Sequence, residues 1–300
     1  MSQSYDIYEI TQKDARFPRL LKEIQNPPQR FFIRGIFPES PLYVSIVGTR
    51  KATYEGRELA KQIARQLAEK DIVVVSGLAL GIDAAAHEGA LAGNGKTIAV
   101  LANGLDTIYP RQHEHLAQKI LASGGGIISE YPIGTPALPH QFLERNRIVS
   151  GISHATIVIE APLRSGSIVT ARTAAEQGRD VFVFPGPIQN VNYKGSHQLI
   201  RNGARLVSSF DDIIEDISEL INEYHIEKNR LPIYQHTTVP ESLNEEETII
   251  MNILKKAGTP LSVDNIVEST TLESNVVRQH LTFLLLDGHI KEQGGFFSSS

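Results

Sequence analysis

The chain has 300 residues, 41% of them hydrophobic and 21% charged, a formal net charge of −5 and no cysteine. That length suits about two domains, and without cysteine there are no disulfides, thiolate nucleophiles or Cys-based zinc sites. No stretch approaches the ~20 consecutive apolar residues of a membrane span, and the N-terminus lacks the basic and apolar regions of an export signal, so the expectation is a cytoplasmic protein with no membrane contact.

Residues 1–40 carry no long periodic pattern and contain Phe17-Pro18, Asn26-Pro27-Pro28 and Gly35. They predict a short helix around Arg19 to Ile24 and an extended stretch from Phe31 to Arg34, an N-terminal extension packed on the core domain. From Leu42 strands and helices alternate. Strands are predicted at Leu42–Val47, Ile72–Val75, Thr97–Leu101, Gly126–Ile128, Ala155–Ile159 and Val181–Phe184. Helices are predicted at Glu55–Glu69, Ile82–Leu91, Gln112–Leu121, Phe142–Val149 and Ser167–Gln177. Apolar strands alternating with helices imply a parallel sheet covered on both faces. The fold class is therefore α/β, a Rossmann-like doubly wound, mostly parallel sheet over residues 41–221.

Between Glu223 and Ser242, Pro232, Pro240, the His236-Thr237-Thr238 run and mixed charge mark residues 222–243 as a linker. Residues 244–300 then read as three short helices, Asn244–Ala257, Val263–Val267 and Glu273–Leu286, and a hairpin over His289–Phe297 turning at Gly294-Gly295. That order is a winged-helix arrangement.

The negative total hides an uneven distribution. Glu245, Glu246, Glu247, Asp264, Glu268, Glu273, Asp287 and Glu292 outnumber Lys255, Lys256, Arg278 and Lys291 in the last segment. Between Phe142 and Arg205 the balance reverses, with Arg145, Arg147, Arg164, Arg172, Arg179, Lys194, Arg201 and Arg205 against four acids. A local basic surface binds polyanions whatever the total charge.

Within that basic region, Phe142 and Arg145-Asn146-Arg147 precede a strand, the turn Ser165-Gly166-Ser167 and a helix carrying Arg172. Guanidinium forks match phosphate oxygens, N–H groups at a helix start add donors, and a ring offers a base a stacking face. Arg145 and Arg147 read either as phosphate contacts or as partners of Glu144 and Glu160, and Phe142 reads equally as core. Loops at the other strand ends carry Gly48-Thr49-Arg50-Lys51, Gly77 and Gly81, Gly104, and Pro185-Gly186. In a sheet of this class ligands bind outside the carboxyl ends of the strands, so these glycines are expected to line one phosphate-binding rim. Arg50 would project over it unless paired with Glu55, with Thr53 capping the following helix, and Lys194 would extend it.

Two other motifs are weaker. Gly93-Asn94-Gly95-Lys96-Thr97 ends like a Walker loop, but Ala90 stands where that motif needs glycine and a strand follows, so a helix C-cap is expected. Ser76–Asp83 is a degenerate dinucleotide fingerprint without a ribose-binding acid after the next strand, and it reads as a tight strand-to-helix turn. His113 and His115 lack helical metal-site spacing. No cofactor and no metal is expected.

Gly48-Thr49-Arg50, Ser76-Gly77-Leu78-Ala79-Leu80-Gly81-Ile82-Asp83, Tyr109-Pro110, Ser129-Glu130-Tyr131, Phe142 with Arg145-Asn146-Arg147, Ser165-Gly166-Ser167 with Thr170-Ala171, and Pro185-Gly186 stand in the order and spacing of the DprA/Smf family. Over residues 5–215 the chain resembles that family, and its tail resembles the family's winged-helix domain. The resemblance implies a non-enzymatic homodimer that binds and protects single-stranded DNA during natural transformation and loads RecA recombinase onto it. It assigns Arg50, Phe142, Arg145, Asn146, Arg147, Ser167 and Lys194 to the strand; Lys51 and Arg172 join them from the basic rim. No sterile-alpha-like domain is expected before the core. The acidic tail is expected to contact protein or the dimer partner, not to grip duplex DNA through a basic recognition helix. The competing reading is a nucleotide-hydrolysing enzyme of the LOG or lysine-decarboxylase-like type, in which Glu176 is the nearest downstream acid to Arg164-Ser165-Gly166-Ser167.

Overall fold

In the computed structural model, residues 5–40, 42–218, 245–270, 272, 274–286, 289–293 and 296–299 are described. The expected linker, 222–243, and the Gly294-Gly295 turn lie outside them. The chain divides into two compact units, Met1–Arg230 and Leu231–Ser300.

In the first unit the strands are β1 (Ile7–Thr11), β2 (Arg30–Gly35), β3 (Tyr43–Val47), β4 (Val73–Ser76), β5 (Thr97–Leu101), β6 (Gly126–Ser129), β7 (Ala155–Val158), β8 (Asp180–Val183) and β9 (Arg205–Leu206). The helices are α1 (Arg19–Lys22), α2 (Tyr54–Ala68), α3 (Ile82–Ala92), α4 (Glu114–Ala122), α5 (Pro139–Ile152), α6 (Gly166–Glu176) and α7 (Lys194–Arg201), with residues 210–218 forming α8. All nine strands join one sheet in the order β1-β2-β6-β5-β4-β3-β7-β8-β9. From β6 to β9 every pairing is parallel, whereas β2 pairs antiparallel with both β1 and β6. The N-terminal segment is thus hydrogen-bonded into the sheet, with Ile33 opposite Ile128, as well as packed on it.

The central strands are buried on both faces, which explains their unbroken apolar runs. Val44, Ile46 and Val74 face α2 and α3. Val73, Val75, Ile98 and Val100 face the other way, toward Ile148 and Val149 of α5 and Ile168 and Ala171 of α6. Leu21 of α1 and Phe31 of β2 extend this second layer.

Local chemistry sets the element boundaries. Thr53 Oγ1 accepts the Gly56 N–H at 2.9 Å and so caps α2. Gly93 ends α3 with its N–H on the Gly89 carbonyl, and Asn94 follows at φ 55°, the expected C-cap. Gly81 opens α3 at φ 83°, where an added Cβ would lie 2.3 Å from the Thr49 carbonyl; only glycine serves there.

The second unit contains helices α9 (Glu245–Ala257), α10 (Val263–Ser269) and α11 (Ser274–Leu286). Its strands β10 (Leu261–Ser262), β11 (Ile290–Gln293) and β12 (Phe296–Ser299) form an antiparallel sheet in the order β10-β12-β11. Ile250, Leu254, Ile266, Val277, Leu281 and Ile290 make a separate core. The unexpected element is β10, two residues long, paired to β12 and with Leu261 packed on this core.

Candidate nucleic-acid interface

Strand order runs outward from β3 in both directions: β4, β5 and β6 follow on one side and β7, β8 and β9 on the other. The β3–α2 and β7–α6 connections therefore leave the sheet in opposite directions and open a crevice between them. A cavity of about 590 Å³ occupies that place, bounded by Gly48, Thr49 and Arg50 after β3, Gly77 and Ala79 after β4, and Arg164 to Ser167 at the start of α6. Helix α5 closes it with Phe142, Arg145 and Asn146.

At the mouth, the Arg50 guanidinium lies over the Phe142 ring at 5.1 Å, and Tyr109 packs against the same ring at 5.4 Å between centroids with a 55° tilt. Arg50 is exposed and Phe142 half-buried. The three side chains present a planar cation and two rings in one cluster, the combination that holds phosphates and stacks bases.

Arg145 stands elsewhere than expected. It is 4% exposed and donates from Nη1 to the carbonyls of Gly77 (2.9 Å) and Val100, so it forms the cavity floor and is not a projecting phosphate fork. Burial lowers its pKa to about 10, against the pull of Asp83. Arg147 is committed too: Nη2 donates to both Glu130 carboxylate oxygens at 2.7 and 2.8 Å. Neither arginine pairs with Glu144 or Glu160, the partners the alternative reading expects. Tyr131 donates to Glu144 instead, and Glu160 accepts from Thr53 and Asn192.

Helix α6 starts in the cavity. Ser165 is its N-cap and its hydroxyl lies 2.8 Å from that of Ser167, while Asn146 Nδ2 donates to the Gly166 carbonyl at 3.3 Å. The first N–H groups of a helix have no partner within it; Ser165 accepts that of Ile168, and Gly166 and Ser167 line the cavity, where a helix start favours an anion.

Of the six rim glycines, Gly48, Gly77 and Gly166 line the cavity, and Gly81, Gly104 and Gly186 do not. Gly104 packs against the Pro132–Gly134 turn and Gly186 against the Tyr193 ring. Of these, Gly104 follows β5, two strands away from β3. Lys51 and Lys194 are exposed outside the cavity, and Arg172 borders a second one of about 220 Å³ along with Arg179 and Arg205. Among the lining residues that the sequence-based expectation leaves out are Tyr109, Arg164 and Asp83. Tyr109 and Asp83 stand within family motifs, but only the tertiary fold brings them to Phe142 and Arg145. His113 is half-buried with Nδ1 2.8 Å from the Leu78 carbonyl.

Residues 9–218 match the family described as DNA recombination-mediator protein A, and residues 235–295 match the DprA winged helix domain. Protein Smf of Escherichia coli is 42% identical over 212 residues, which cover 70% of this chain and 57% of that protein. For the putative DNA processing protein DprA of Mycobacterium tuberculosis the match covers 46% of the relative, so this chain spans about half the length of these curated relatives. The X-ray structure of DprA from Streptococcus pneumoniae superposes with a TM-score of 0.64 at 38% identity, over 71% of this chain and 75% of that one. DNA processing protein A from Helicobacter pylori, a structure described for its single-stranded DNA binding mode, gives a TM-score of 0.64 at 30% identity over 75% and 100% of the two chains. With its motifs, its sheet and the match over residues 9–218 in agreement, the chain belongs to the DNA recombination-mediator protein A family, DprA/Smf.

Proposed function

We propose that this protein binds single-stranded DNA at the switch-point cavity, protects it during transformation and delivers it to RecA recombinase as a homodimer without catalysing a reaction. The observation that carries the reading is the Arg50–Phe142–Tyr109 cluster at the mouth. A guanidinium there meets the phosphodiester backbone and the rings meet bases that only a single strand leaves unpaired. The Helicobacter pylori relative, with its single-stranded DNA binding mode, supports the same substrate. Lys51, Arg172 and Lys194, exposed beyond the cavity, would steer the strand electrostatically. A dimer would place two such sites on one strand and raise avidity.

For the hydrolase alternative, Glu176 closes the far end of α6 and does not line the cavity; the carboxylate that does is Asp83. The deciding experiment is fluorescence anisotropy with a labelled single strand across a salt series, with duplex competitor and an Arg50→Ala/Phe142→Ala variant. Tight, salt-sensitive binding that collapses in the variant supports the reading; equal preference for duplex overturns it. RecA filament nucleation on a protein-coated strand tests delivery.

A further inference from the structure

The three most exposed large hydrophobic side chains among the described residues are Ile188 at 73%, Tyr54 at 67% and Val191 at 62%. Tyr54 opens α2 after the β3 loop, and Ile188 and Val191 lie in the connection from β8 to α7. These two segments are joined by hydrogen bonds. Asn192 Nδ2 donates to the Lys51 carbonyl and to Glu160, each at 3.0 Å, and the same carboxylate accepts the N–H and hydroxyl of Thr53. Tyr54 and Val191 thus emerge from either side of one junction. Apolar side chains scattered singly over a surface need no explanation, but several gathered at one place mark a binding surface.

Charge selects what binds there. Lys51 and Lys194 are exposed in the same two segments and form no ion pair among the described residues; Glu55, in the first turn of α2, is the acid beside them. The cores of protein interfaces are depleted in lysine, whereas cations next to an exposed ring suit a single strand, phosphates on the charges and a base on the ring. Duplex bases are stacked on one another and offer no such face. The junction also continues the cavity: Gly48, Thr49 and Arg50 line it, and Lys51 is the next residue in the chain. We propose that the bound strand leaves the cavity past Lys51 toward the β8 side, with its phosphates on Lys51 and Lys194 and one base stacked on Tyr54 against Ile188 and Val191. This rests on the single-strand function proposed for the cavity and deepens it: the strand is held extended between two platforms, Phe142 at the mouth and Tyr54 outside, which fixes the direction in which it runs.

The test uses a labelled oligothymidylate of about twelve nucleotides, within the range of single-strand site sizes, and the same strand with 5-iodouracil in place of thymine, which cross-links to aromatic side chains under near-ultraviolet light. Mass spectrometry of the cross-linked wild type should find the peptide containing Tyr54 as well as those of Phe142 or Tyr109. Cross-links confined to Phe142 and Tyr109 overturn the second platform although single-strand binding stands; that comparison needs no variant to fold. Tyr54→Ala should weaken binding about tenfold, the scale of one stacked base, and Tyr54→Phe, which keeps the ring, should restore it. Lys51→Ala/Lys194→Ala should lower the slope of log affinity against log salt by about 1.4, two phosphate contacts at ~0.7 each. If Tyr54→Ala binds the strand as tightly as the wild type, the inference fails. If no strand binds, the single-strand reading itself fails and the platform with it.

Discussion

Asp83 and Arg145 hold opposite ends of the same residue, Gly77: the carboxylate takes its N–H at 3.1 Å and the guanidinium donates to its carbonyl at 2.9 Å. Two buried, oppositely charged side chains from α3 and α5 thereby fix the turn after β4 that floors the cavity. Leu78, next in the chain, is held at φ 55° with its side chain buried, a conformation uncommon for a non-glycine residue and sustained by its surroundings.

Gly77→Ala should break this arrangement. The new Cβ would lie 2.6 Å from the Arg145 guanidinium nitrogens, and overpacking of this kind costs about 1–3 kcal/mol. Denaturant unfolding should show that loss, and single-strand affinity should fall further than stability alone accounts for, because Arg145 is displaced from the floor.

Arg50 and Phe142 should separate by salt dependence. Arg50→Ala removes a phosphate contact, so the slope of log affinity against log salt should drop by about 0.7 for a single strand. Phe142→Ala should cost about 1–3 kcal/mol of stacking with the slope nearly unchanged. Equal slopes for wild type and Arg50→Ala would remove Arg50 from the backbone path.

Glu160 ties the two sides of the crevice together. Fully buried just past the end of β7, it accepts from the Thr53 N–H and hydroxyl and from Asn192 Nδ2, which also donates to the Lys51 carbonyl. Glu160→Ala strands these donors and should destabilise the unit by about 3 kcal/mol. It should also loosen the Gly48–Thr53 loop, detectable as faster amide exchange there. A surface-like change below about 0.5 kcal/mol would contradict this role.

His87 should make the protein acid-sensitive. It is fully buried with Nδ1 2.7 Å from the Thr97 hydroxyl, and burial lowers its pKa from 6.5 to about 3. Between those values the unfolded chain binds a proton that the folded one refuses, so stability falls as pH drops below about 6.5. From pH 7 to pH 5 the loss from this group is about 2 kcal/mol, and His154, lowered to about 4 by burial, adds in the same direction. Unfolding midpoints at the two pH values, with His87→Gln flattening the difference, provide the check.

The sequence by itself determined the alternation of buried strands and helices, because strands covered on both faces must be continuously apolar and their helices periodic; it also marked the glycine turns and the Arg50, Phe142 and Ser165–Ser167 motifs. It left β1, β9 and β10 unread, since short strands paired at one edge owe their existence to the partner strand and carry little pattern of their own. The tertiary structure alone decided which charges are free. Arg145 and Arg147 look alike, two residues apart on one helix, yet one is spent on the carbonyls of Gly77 and Val100 and the other on Glu130, while Arg50 remains exposed on Phe142. It also decided which of the strand-end loops share a site, because strand order, not chain order, sets the distance between them. Asp83 became part of the cavity for the same reason: its partner across Gly77 comes from 62 residues further along the chain, and no local pattern records that meeting.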